Sequence, residues 1–410
     1  MQRYEKYKES GVDWIGEVPE DWEIVRFKRL FNEKKKTTNA SLNSGSISFG
    51  DVVYKDDEKI TEATKLSYQV LNEGEFLLNP LNMNYDLKSL RIGLSAIDVV
   101  VSSGYIILQS KKGLDKNYYR WLLRIYDIVF MKNLGAGVRQ TINYSDLADS
   151  HLVVPSLDEQ QTIATFLNDK TAKIDQTIVN KQKEIELLKE RRQILIQKAV
   201  TKGLDDTVPL KDSGVDWIGE IPEHWEIEKL KRVFFSKKKV TDVSLPCGAI
   251  SYGKVVIKPD EKILEATKST YQVLNKGEFL LNPLNLNYDL VSLRIALSDK
   301  DVVVSSGYLI LKNKIEINKE YYKWFLHIFD IIFMKTLGAG VRQTLNYNQI
   351  GDSEILIPTL SEQGIIASRL EAIEEKIAKA ILLKQQEIEK LKEYKTVLID
   401  NVVTGKVRVN

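Results

Sequence analysis

The chain has 410 residues and a nearly balanced charge, with 59 lysines and arginines against 57 acidic residues. Its single cysteine, Cys247, excludes a disulfide framework and a thiolate zinc site, and it favours a reducing, cytoplasmic setting. No apolar N-terminal segment resembles a signal peptide, and no run of 18 apolar residues predicts a membrane span, so we expect no membrane partner.

The first 155 residues predict a domain that mixes strands and helices. Runs rich in β-branched and aromatic residues predict strands at 47–54, 75–78, 98–101 and 105–108. Residues 118–133 carry apolar groups at helical spacing and end before Gly135, which predicts a helix with a glycine stop. Strands and helices in irregular order predict an α+β fold.

A long helix is predicted next, because residues 159–202 contain neither glycine nor proline. Apolar residues recur in steps of four and three, the pattern of a coiled-coil seam. Asp158, and Ser361 before a second such helix, are the expected N-caps. The seam residues expected to pair the two helices are Leu167, Ile174, Ile178, Ile185, Leu188, Leu195, Leu370, Ile377, Ile381, Ile388, Leu391 and Leu398.

The whole pattern is repeated at an offset of 203 residues. Residues 8–155 and 211–358 are identical at 97 of 148 positions. Each repeat therefore consists of a globular part, here called a head, and a long helix. A pseudo-two-fold axis would make the two helices antiparallel, with one head at each end of the bundle and the C-terminal residues 407–410 beside the first head.

Three repeated motifs carry a resemblance to a known family. They are the openers W-I-G-x-[VI]-P-x-x-W at 14–22 and 217–225, the closers G-A-G-V-R-Q-T-[IL]-N-Y at 135–144 and 338–347, and the P-x-L-x-E-Q helix entries at 155–160 and 358–363. In their order and duplication they resemble the specificity (S) subunit of type I restriction–modification systems.

The resemblance implies a non-catalytic protein without cofactor or metal. Target recognition domains would occupy residues 1–157 and 204–360, and helical spacers would occupy 158–203 and 361–410. Each recognition domain would read one half of a bipartite site in double-stranded DNA. The spacers would set the gap and dock two methyltransferase subunits, to which restriction (helicase and nuclease) subunits can be added.

Residues 79–82, Asn-Pro-Leu-Asn, resemble the [DN]-P-P-[YFW] motif of adenine methyltransferases but lack the second proline and the aromatic. A turn after the strand is the alternative to a DNA-contacting loop. Asparagine suits the edge of adenine. The loop residues expected to contact DNA are Asn82, Asn84 and Tyr85, with their equivalents Asn285, Asn287 and Tyr288.

Arg91 and Arg294 follow this loop, and each either forms a buried ion pair or contacts phosphate or guanine. The glycine-rich closers let backbone approach a ligand, and their polar side chains suit base edges. A structural turn is the alternative there, as it is for the repeated Ser-Ser-Gly-Tyr segments. The DNA-contact candidates from these segments are Arg139, Gln140, Thr141, Arg342, Gln343, Thr344, Ser102, Ser103, Ser305 and Ser306.

Two lysine triplets complete the candidate set, because heads of near-zero net charge need local basic surface to meet phosphate. A solvated face is the alternative. The triplets are Lys34, Lys35 and Lys36, and Lys237, Lys238 and Lys239.

The three histidines do not repeat: His151 is matched by Glu354, His224 by Asp21 and His327 by Arg124. If both heads do the same work, this argues against a histidine-based catalytic or metal site. The repeated tryptophans are expected in the core. A stand-alone DNA methyltransferase and a protein-binding adaptor remain as alternatives. Because the heads are so similar, we expect two similar half-sites in inverted orientation.

Overall fold

The computed structural model describes residues 2–58, 60–81, 90–134, 141–259, 263–284, 293–334 and 344–409. The chain divides into two compact units. Unit 1 contains Met1–Gln182 and Gln385–Asn410, and unit 2 contains Lys183–Lys384. Each unit therefore holds one head together with a segment of each long helix.

Unit 1 contains short strands, short helices and the first part of a long helix. Its strands are β1 (Tyr7–Glu9), β2 (Glu17–Pro19), β3 (Glu23–Arg26), β4 (Phe31–Glu33), β5 (Gly45–Ser48), β6 (Asp51–Tyr54), β7 (Gln69–Leu71), β8 (Phe76–Leu78), β9 (Ile92–Leu94), β10 (Val99–Val101), β11 (Ile106–Ser110) and β12 (His151–Val154). Its helices are α1 (Phe27–Leu30), α2 (Glu62–Ser67), α3 (Lys116–Val129), α4 (Tyr144–Ala148) and the start of α5 (Leu157–Lys202).

Unit 2 repeats this order. Its strands are β13 (Leu210–Asp212), β14 (Glu220–Pro222), β15 (Glu226–Lys229), β16 (Phe234–Ser236), β17 (Gly248–Ser251), β18 (Lys254–Ile257), β19 (Gln272–Leu274), β20 (Phe279–Leu281), β21 (Ile295–Leu297), β22 (Val302–Val304), β23 (Leu309–Asn313) and β24 (Glu354–Ile357). Its helices are α6 (Leu230–Val233), α7 (Glu265–Lys268), α8 (Lys319–Ile328), α9 (Tyr347–Gly351), the last part of α5 and the first part of α10 (Leu360–Val403).

A four-stranded antiparallel sheet organises each head. Its order is β4-β11-β8-β9 in unit 1 and β16-β23-β20-β21 in unit 2. Side chains alternate across a strand. Phe76 and Leu78 of β8 therefore join the large core under α3, whereas Leu77 joins a smaller core with Val99 and Ile107. Both faces of the sheet are buried, which explains the uninterrupted apolar run in β8.

The α+β prediction is confirmed, and so are both long helices. The predicted strands at 98–101 and 105–108 correspond to β10 and β11, and the predicted helix at 118–133 corresponds to α3 with a 3-10 turn at Met131–Asn133. The prediction of one strand over 47–54 is wrong, because β5 and β6 form a hairpin in which Ser48 pairs with Asp51.

The two-residue turn of that hairpin needs positive φ at both central positions. Phe49 has φ 49° and Gly50 has φ 86°, and in unit 2 Tyr252 and Gly253 have φ 48° and 71°. A residue other than glycine pays about 1–2 kcal/mol for this conformation. Such a turn is not evident from the sequence, because asparagine and glycine, not aromatic residues, are usual at its first central position.

The long helices begin one residue before the predicted caps. The predictions of Asp158 and Ser361 as N-caps are wrong, because α5 and α10 start at Leu157 and Leu360. The hydroxyl oxygens of Ser156 and Thr359 accept hydrogen bonds from the backbone N–H of Glu159 and Glu362, at 3.3 Å each. Residues with a short side-chain oxygen cap a helix start in this way, and Ser156 and Thr359 precede the predicted positions by two.

Within each unit the segments of α5 and α10 pack side by side and run antiparallel. In unit 1, Lys181 Nζ lies 2.6 Å from Glu387 Oε2, and Lys395 Nζ lies 2.6 Å from Asp175 Oδ2. As the residue number rises on one helix, its partner's number falls on the other. Leu167, Ile174 and Leu398 belong to the large core of unit 1, and Ile178 and Leu391 pack against it.

Unit 2 has the same helix pairing. Arg192 forms an ion pair with Glu374, and Lys384 Nζ lies 2.5 Å from Glu184 Oε2. Leu370 is in the large core of this unit. The remaining seam residues of the two units are buried (Ile185, Ile377, Ile388) or half-buried (Leu188, Leu195, Ile381).

The seam pattern is interrupted by polar residues at 171, 181 and 192 and at the equivalent positions 374, 384 and 395. All of these except Thr171 form ion pairs between the helices. Lys181 and Lys384 occupy equivalent positions in the two repeats, and each pairs with the equivalent glutamate, Glu387 or Glu184. Partly buried polar pairs favour one register over others, because a shifted register would leave each charge without its partner.

The end of each long helix is fixed to the head of its own unit. In unit 1 the buried hydroxyl of Tyr118 donates to the carbonyl of Val403 at 2.9 Å, and in unit 2 Tyr321 donates to Val200 at 3.0 Å. These bonds give a partner to carbonyls at the end of a helix, where no N–H group of the helix itself can reach them. Arg408 forms a β-bridge with Gln2. The prediction that the C-terminal residues lie beside the first head is confirmed.

The second tryptophan of each opener motif, Trp22 or Trp225, fixes its head to the start of a long helix. Trp22 Nε1 donates to Glu159 at 2.9 Å, and Trp225 Nε1 donates to Glu362 at 3.0 Å. Burial alone would raise the pKa of Glu362, but hydrogen bonds from Trp225, Thr359 and His224 outweigh it and lower that pKa to about 2. Both tryptophans are buried, as predicted for the core.

Candidate nucleic-acid interface

Two polar segments begin and end at neighbouring points of each head. Leu81, which precedes residues 82–89, forms a β-bridge with Thr141, which follows residues 135–140. The backbone N–H of Ile142 also donates to the carbonyl of Pro80 at 3.0 Å. Unit 2 repeats both contacts, with the bridge between Leu284 and Thr344. The topology therefore brings the residue before the Asn-rich segment and the residue after the glycine-rich segment to the same edge.

Most of the predicted base-contacting residues lie outside the described residues. They are Asn82, Asn84, Tyr85, Arg139, Gln140, Asn285, Asn287, Tyr288, Arg342 and Gln343. Thr141 and Thr344 are described, and both are exposed at the bridges that flank these segments. The candidate interface is thus located by its anchoring residues.

Asn79 begins a turn, which was one of the alternatives for the Asn-Pro-Leu-Asn segment. Its side-chain oxygen accepts a hydrogen bond from the backbone N–H of Leu81 at 3.1 Å, and Asn282 makes the same bond to Leu284. This is an Asx turn, in which the side chain substitutes for a backbone carbonyl. The Asn79 oxygen is therefore engaged inside the protein.

Arg91 fixes the point where the Asn-rich loop returns to the sheet. Its backbone N–H and its Nε donate to the two carboxylate oxygens of Asp127 on α3, at 2.6 and 2.9 Å. Arg91 is 5% exposed and Asp127 is fully buried. Burial raises the pKa of Asp127, and the contacts from Arg91 oppose this rise.

Arg294 and Asp330 form the same pair in unit 2, at 2.6 and 2.8 Å. Of the two alternatives for these arginines, the buried ion pair is the one found in the described structure. Both guanidinium groups are buried. These residues therefore support the loop and do not present a charge to solvent.

A hairpin tip lies against the return of the same loop. A Cβ added at Gly50 would meet Leu90 Cδ1 at 2.8 Å, and a Cβ added at Gly93 would meet the Gly50 carbonyl at 2.4 Å. Gly253 approaches Leu293 in the same way. The adjacent aromatic residues, Phe49 and Tyr252, are 74% and 76% exposed. Sequence reasoning missed both, since it assigned their segment to a strand.

The first lysine of each triplet is engaged inside its head. Lys34 Nζ lies 2.7 Å from Glu75 Oε2 and 2.6 Å from Asn72 Oδ1, and its side chain is 10% exposed. Lys237 contacts Glu278 and Asn275 at the same two distances. These amines are therefore poorly placed to meet phosphate.

The remaining lysines of the triplets are exposed. They are Lys35, Lys36, Lys238 and Lys239. Lys36 Nζ donates to the carbonyl of Ser67 at 2.7 Å, an exposed contact that a phosphate oxygen could replace. The two triplets thus each contribute two surface charges.

The Ser-Ser-Gly-Tyr segments form turns. Tyr105 N–H donates to the Ser102 carbonyl, and Gly104 N–H donates to the Ser102 hydroxyl at 3.4 Å. Ser305 makes the equivalent bond to Gly307. Ser103 and Ser306 are exposed at these turns.

The long helices carry exposed apolar residues at equivalent positions of the repeat. Val179 and Ile194 on α5 are 59% and 58% exposed, and Leu382 and Val397 on α10 are 54% and 55% exposed. In the described part of the chain no helix is long and apolar enough to cross a membrane. The described ranges also contain no group of three or more His, Cys, Asp or Glu residues that could hold a metal ion.

Fold and site together define an internally duplicated protein in which each unit bridges the residue before one polar segment to the residue after another. A family model described as the type I restriction modification DNA specificity domain matches residues 19–187 and 222–393. The chain belongs to this family.

Relatives and solved structures agree with this assignment. The putative type I restriction enzyme MjaX specificity subunit of Methanocaldococcus jannaschii is 25% identical, over 98% of this chain and 98% of the relative. The MjaVIII specificity subunit of the same organism is 25% identical, over 96% and 94%.

Two solved structures share the fold. One comes from work described as the structural basis of complex assembly and conformational transition of the type I R-M system, with a TM-score of 0.69, 13% identity, and coverage of 95% of this chain and 99% of that one. The other is the HsdS subunit from Thermoanaerobacter tengcongensis, with a TM-score of 0.53, 14% identity, and coverage of 95% and 98%.

Proposed function

We propose that this chain is the DNA sequence-specificity subunit of a type I restriction–modification complex, with residues 1–157 and 204–360 as its recognition domains. Each domain reads one half of a bipartite site. The observation that carries the proposal is the bridge between Leu81 and Thr141, repeated at Leu284 and Thr344, which anchors two polar segments together in each unit.

Base reading is assigned to these paired segments, 82–89 with 135–140 and 285–292 with 335–343. Asparagine and glutamine can bond adenine at two atoms, and arginine can bond guanine in the same way. Phosphate contact is assigned to the exposed lysines of the triplets. Arg91, Arg294, Lys34 and Lys237 hold their heads together and are left out of the contact set because each is paired internally.

The two half-sites are expected to be similar and inverted, because the heads share 97 of 148 residues and each carries the same anchored segments. Residues 158–203 and 361–410 act as the spacers that set the gap between half-sites. Adding whole heptads to both helices should lengthen the gap or prevent assembly. An unchanged gap with full activity would mean that the helices are not the ruler.

Partner subunits dock on the helices. The exposed apolar residues Val179, Ile194, Leu382 and Val397 support this assignment, because they recur at equivalent positions of the two repeats on otherwise polar helix surfaces. Two methyltransferase subunits are the expected partners, and restriction subunits can join them. Serine at these four positions should release the methyltransferase subunits while leaving the fold intact. Serine at exposed polar residues of the same helices should leave the methyltransferase subunits bound.

The chain is proposed to have no catalytic activity of its own. A methyl-transfer assay on the isolated chain separates this proposal from a stand-alone methyltransferase. Methyl transfer without any partner would defeat the proposal.

Salt dependence separates a DNA-binding subunit from a protein adaptor. Each phosphate that a lysine neutralises contributes about 0.9 to the slope of log affinity against log salt concentration. Glutamine at Lys35, Lys36, Lys238 and Lys239 should therefore lower that slope by about 3–4 in the partnered complex. Glutamine at Lys34 and Lys237 is the control for charge loss and should change stability rather than slope. An adaptor would show no steep slope in any version.

A further inference from the structure

The hairpin tips carry an aromatic residue in a conformation that disfavours it. Phe49 and Tyr252 are the non-glycine residues of positive φ in the described part of the chain, and they occupy equivalent positions of the two repeats. Asparagine or glycine would form the same turn without strain. Unfavourable conformations that persist at equivalent positions of both repeats suggest a role for the side chain itself.

The rings themselves have little internal packing to explain them. Phe49 is 74% exposed and Tyr252 is 76% exposed, although the residues of the strands that precede them are buried or half-buried. The backbone beside each ring is instead fixed closely, by the approach of Gly50 to Leu90 and of Gly253 to Leu293. The fold therefore closely packs the backbone next to a projecting ring, beside the return of the Asn-rich loop.

The charges around the hairpin tip of unit 2 favour the contact of an anionic polymer with the head. Tyr252 borders a cleft of 890 Å³. The long-helix wall of this cleft carries Glu371, Glu374 and Glu375 with Arg192, whereas the head wall carries two carboxylates, Asp299 and Glu320, and five lysines. These lysines are Lys254, Lys276, Lys300, Lys319 and Lys323. Lys300 pairs with Asp299, and Lys323 pairs with Glu320 and with Glu371 of the helix wall. The charge of the head wall that would attract a phosphate backbone therefore comes from Lys254, Lys276 and Lys319.

We propose that Phe49 and Tyr252 are DNA wedges: each ring inserts at a base step beside the half-site that its own head reads. Apolar side chains that enter a groove and partly unstack one step are an established way to hold DNA in a fixed shape. The inference rests on the proposed function, because it assigns the tips to the same DNA that the loops read.

The test uses the full chain with its modification subunits and a duplex that contains the methylated site mapped in the source cell. Adenines within and beside each half-site are replaced one at a time by 2-aminopurine, whose fluorescence rises when its base is unstacked. The wild-type complex should raise the fluorescence at one step per half-site. Phe49→Asn should abolish the rise at one half-site, and Tyr252→Asn should abolish it at the other.

Each asparagine variant should also weaken DNA binding by about tenfold, the effect of losing one aromatic ring that stacks on a base. Because asparagine suits the turn, both variants should keep or raise the melting temperature, so a loss of binding cannot be attributed to misfolding. Phe49→Tyr and Tyr252→Phe keep the ring and should bind as the wild type does. Leu66→Ala, which removes an exposed apolar side chain elsewhere in the first head, should also leave binding unchanged.

Two outcomes would overturn the inference. One is unchanged affinity and fluorescence in both asparagine variants. The other is loss of the methyltransferase subunits from these variants, which would make the tips protein-docking residues. A wild-type complex that fails to bind the mapped duplex would instead refute the proposed function.

Discussion

Removal of the Asp127 carboxylate should strongly destabilise unit 1. In the wild-type chain that carboxylate accepts hydrogen bonds from the backbone N–H and the Nε of Arg91, at 2.6 and 2.9 Å. Asp127→Ala would leave the guanidinium buried without a counter-charge, since Arg91 is only 5% exposed. Breaking a buried pair in this way costs about 3–5 kcal/mol.

Hydrogen exchange on the full chain measures this cost and locates it. A loss of about 3–5 kcal/mol raises the population of the open state by about 150-fold to 5,000-fold. The slowest-exchanging amides of β8 and α3 should therefore speed up, while those of β20 and α8 keep their rates. Asp330→Ala is the matched variant and should reverse the pattern between the two units.

A double variant separates the ion pair from the packing around it. Arg91→Met with Asp127→Leu replaces both charges by apolar groups, and such replacements are often close to neutral. This variant should recover most of the stability that Asp127→Ala loses. If Asp127→Ala costs less than about 1 kcal/mol, the pair does not support the loop as described. DNA affinity should fall with Asp127→Ala, because Arg91 fixes the return of the Asn-rich loop.

Three further predictions concern the acid range, the helix register and the heads. Because the pKa of Glu362 falls from its ordinary 4.5 to about 2 on folding, its stabilising contribution is present above pH 4.5 and is lost as the pH falls toward 2. The melting temperature should thus fall less steeply across this window in Glu362→Gln than in the wild type, and equal slopes would contradict the assigned hydrogen bonds. Lys181→Glu should destabilise the helix pairing and Glu387→Lys should restore it in the double variant, with a coupling of about 0.5–1 kcal/mol in thermal unfolding; an absence of coupling would remove this pair from the register argument. Exchanging residues 8–155 with 211–358 should leave the methylated sequence almost unchanged, and a new sequence would show that the differing third of the residues selects the bases.

The large features of the fold could be predicted because they rest on patterns that many residues share. The repeat, the α+β heads and the two long helices each depend on dozens of positions, so single errors do not change the conclusion. The polar interruptions of the seam were also visible, at 171, 181 and 192, but their partners were not. Pairing depends on the antiparallel register, which sets Lys181 opposite Glu387.

The errors occurred where one or two residues decide the structure. Phe49–Gly50 continues a β-rich pattern, so the hairpin turn was hidden until the backbone showed positive φ at both residues. The helix start was misplaced because Ser156 and Asp158 are both good caps, and only the hydrogen bond from Glu159 distinguishes them.

Roles within the candidate site were harder to assign than its position. The sequence could not distinguish Lys34 from Lys35, because three consecutive lysines look alike until one is found beside Glu75. For Arg91 the ion pair was foreseen as an alternative, but its partner Asp127 lies 36 positions away on α3. Contacts between residues distant in sequence thus decide which charged groups remain available to a ligand.

The proposed role of this chain as a DNA specificity subunit can be tested by genomic methylation mapping in the source cell. We expect an interrupted site with two similar half-sites in inverted orientation, whose methylation disappears when this chain is deleted and returns when it is restored. Methylation that persists without the chain, or that depends on it but falls at two unrelated half-sites, would contradict the account.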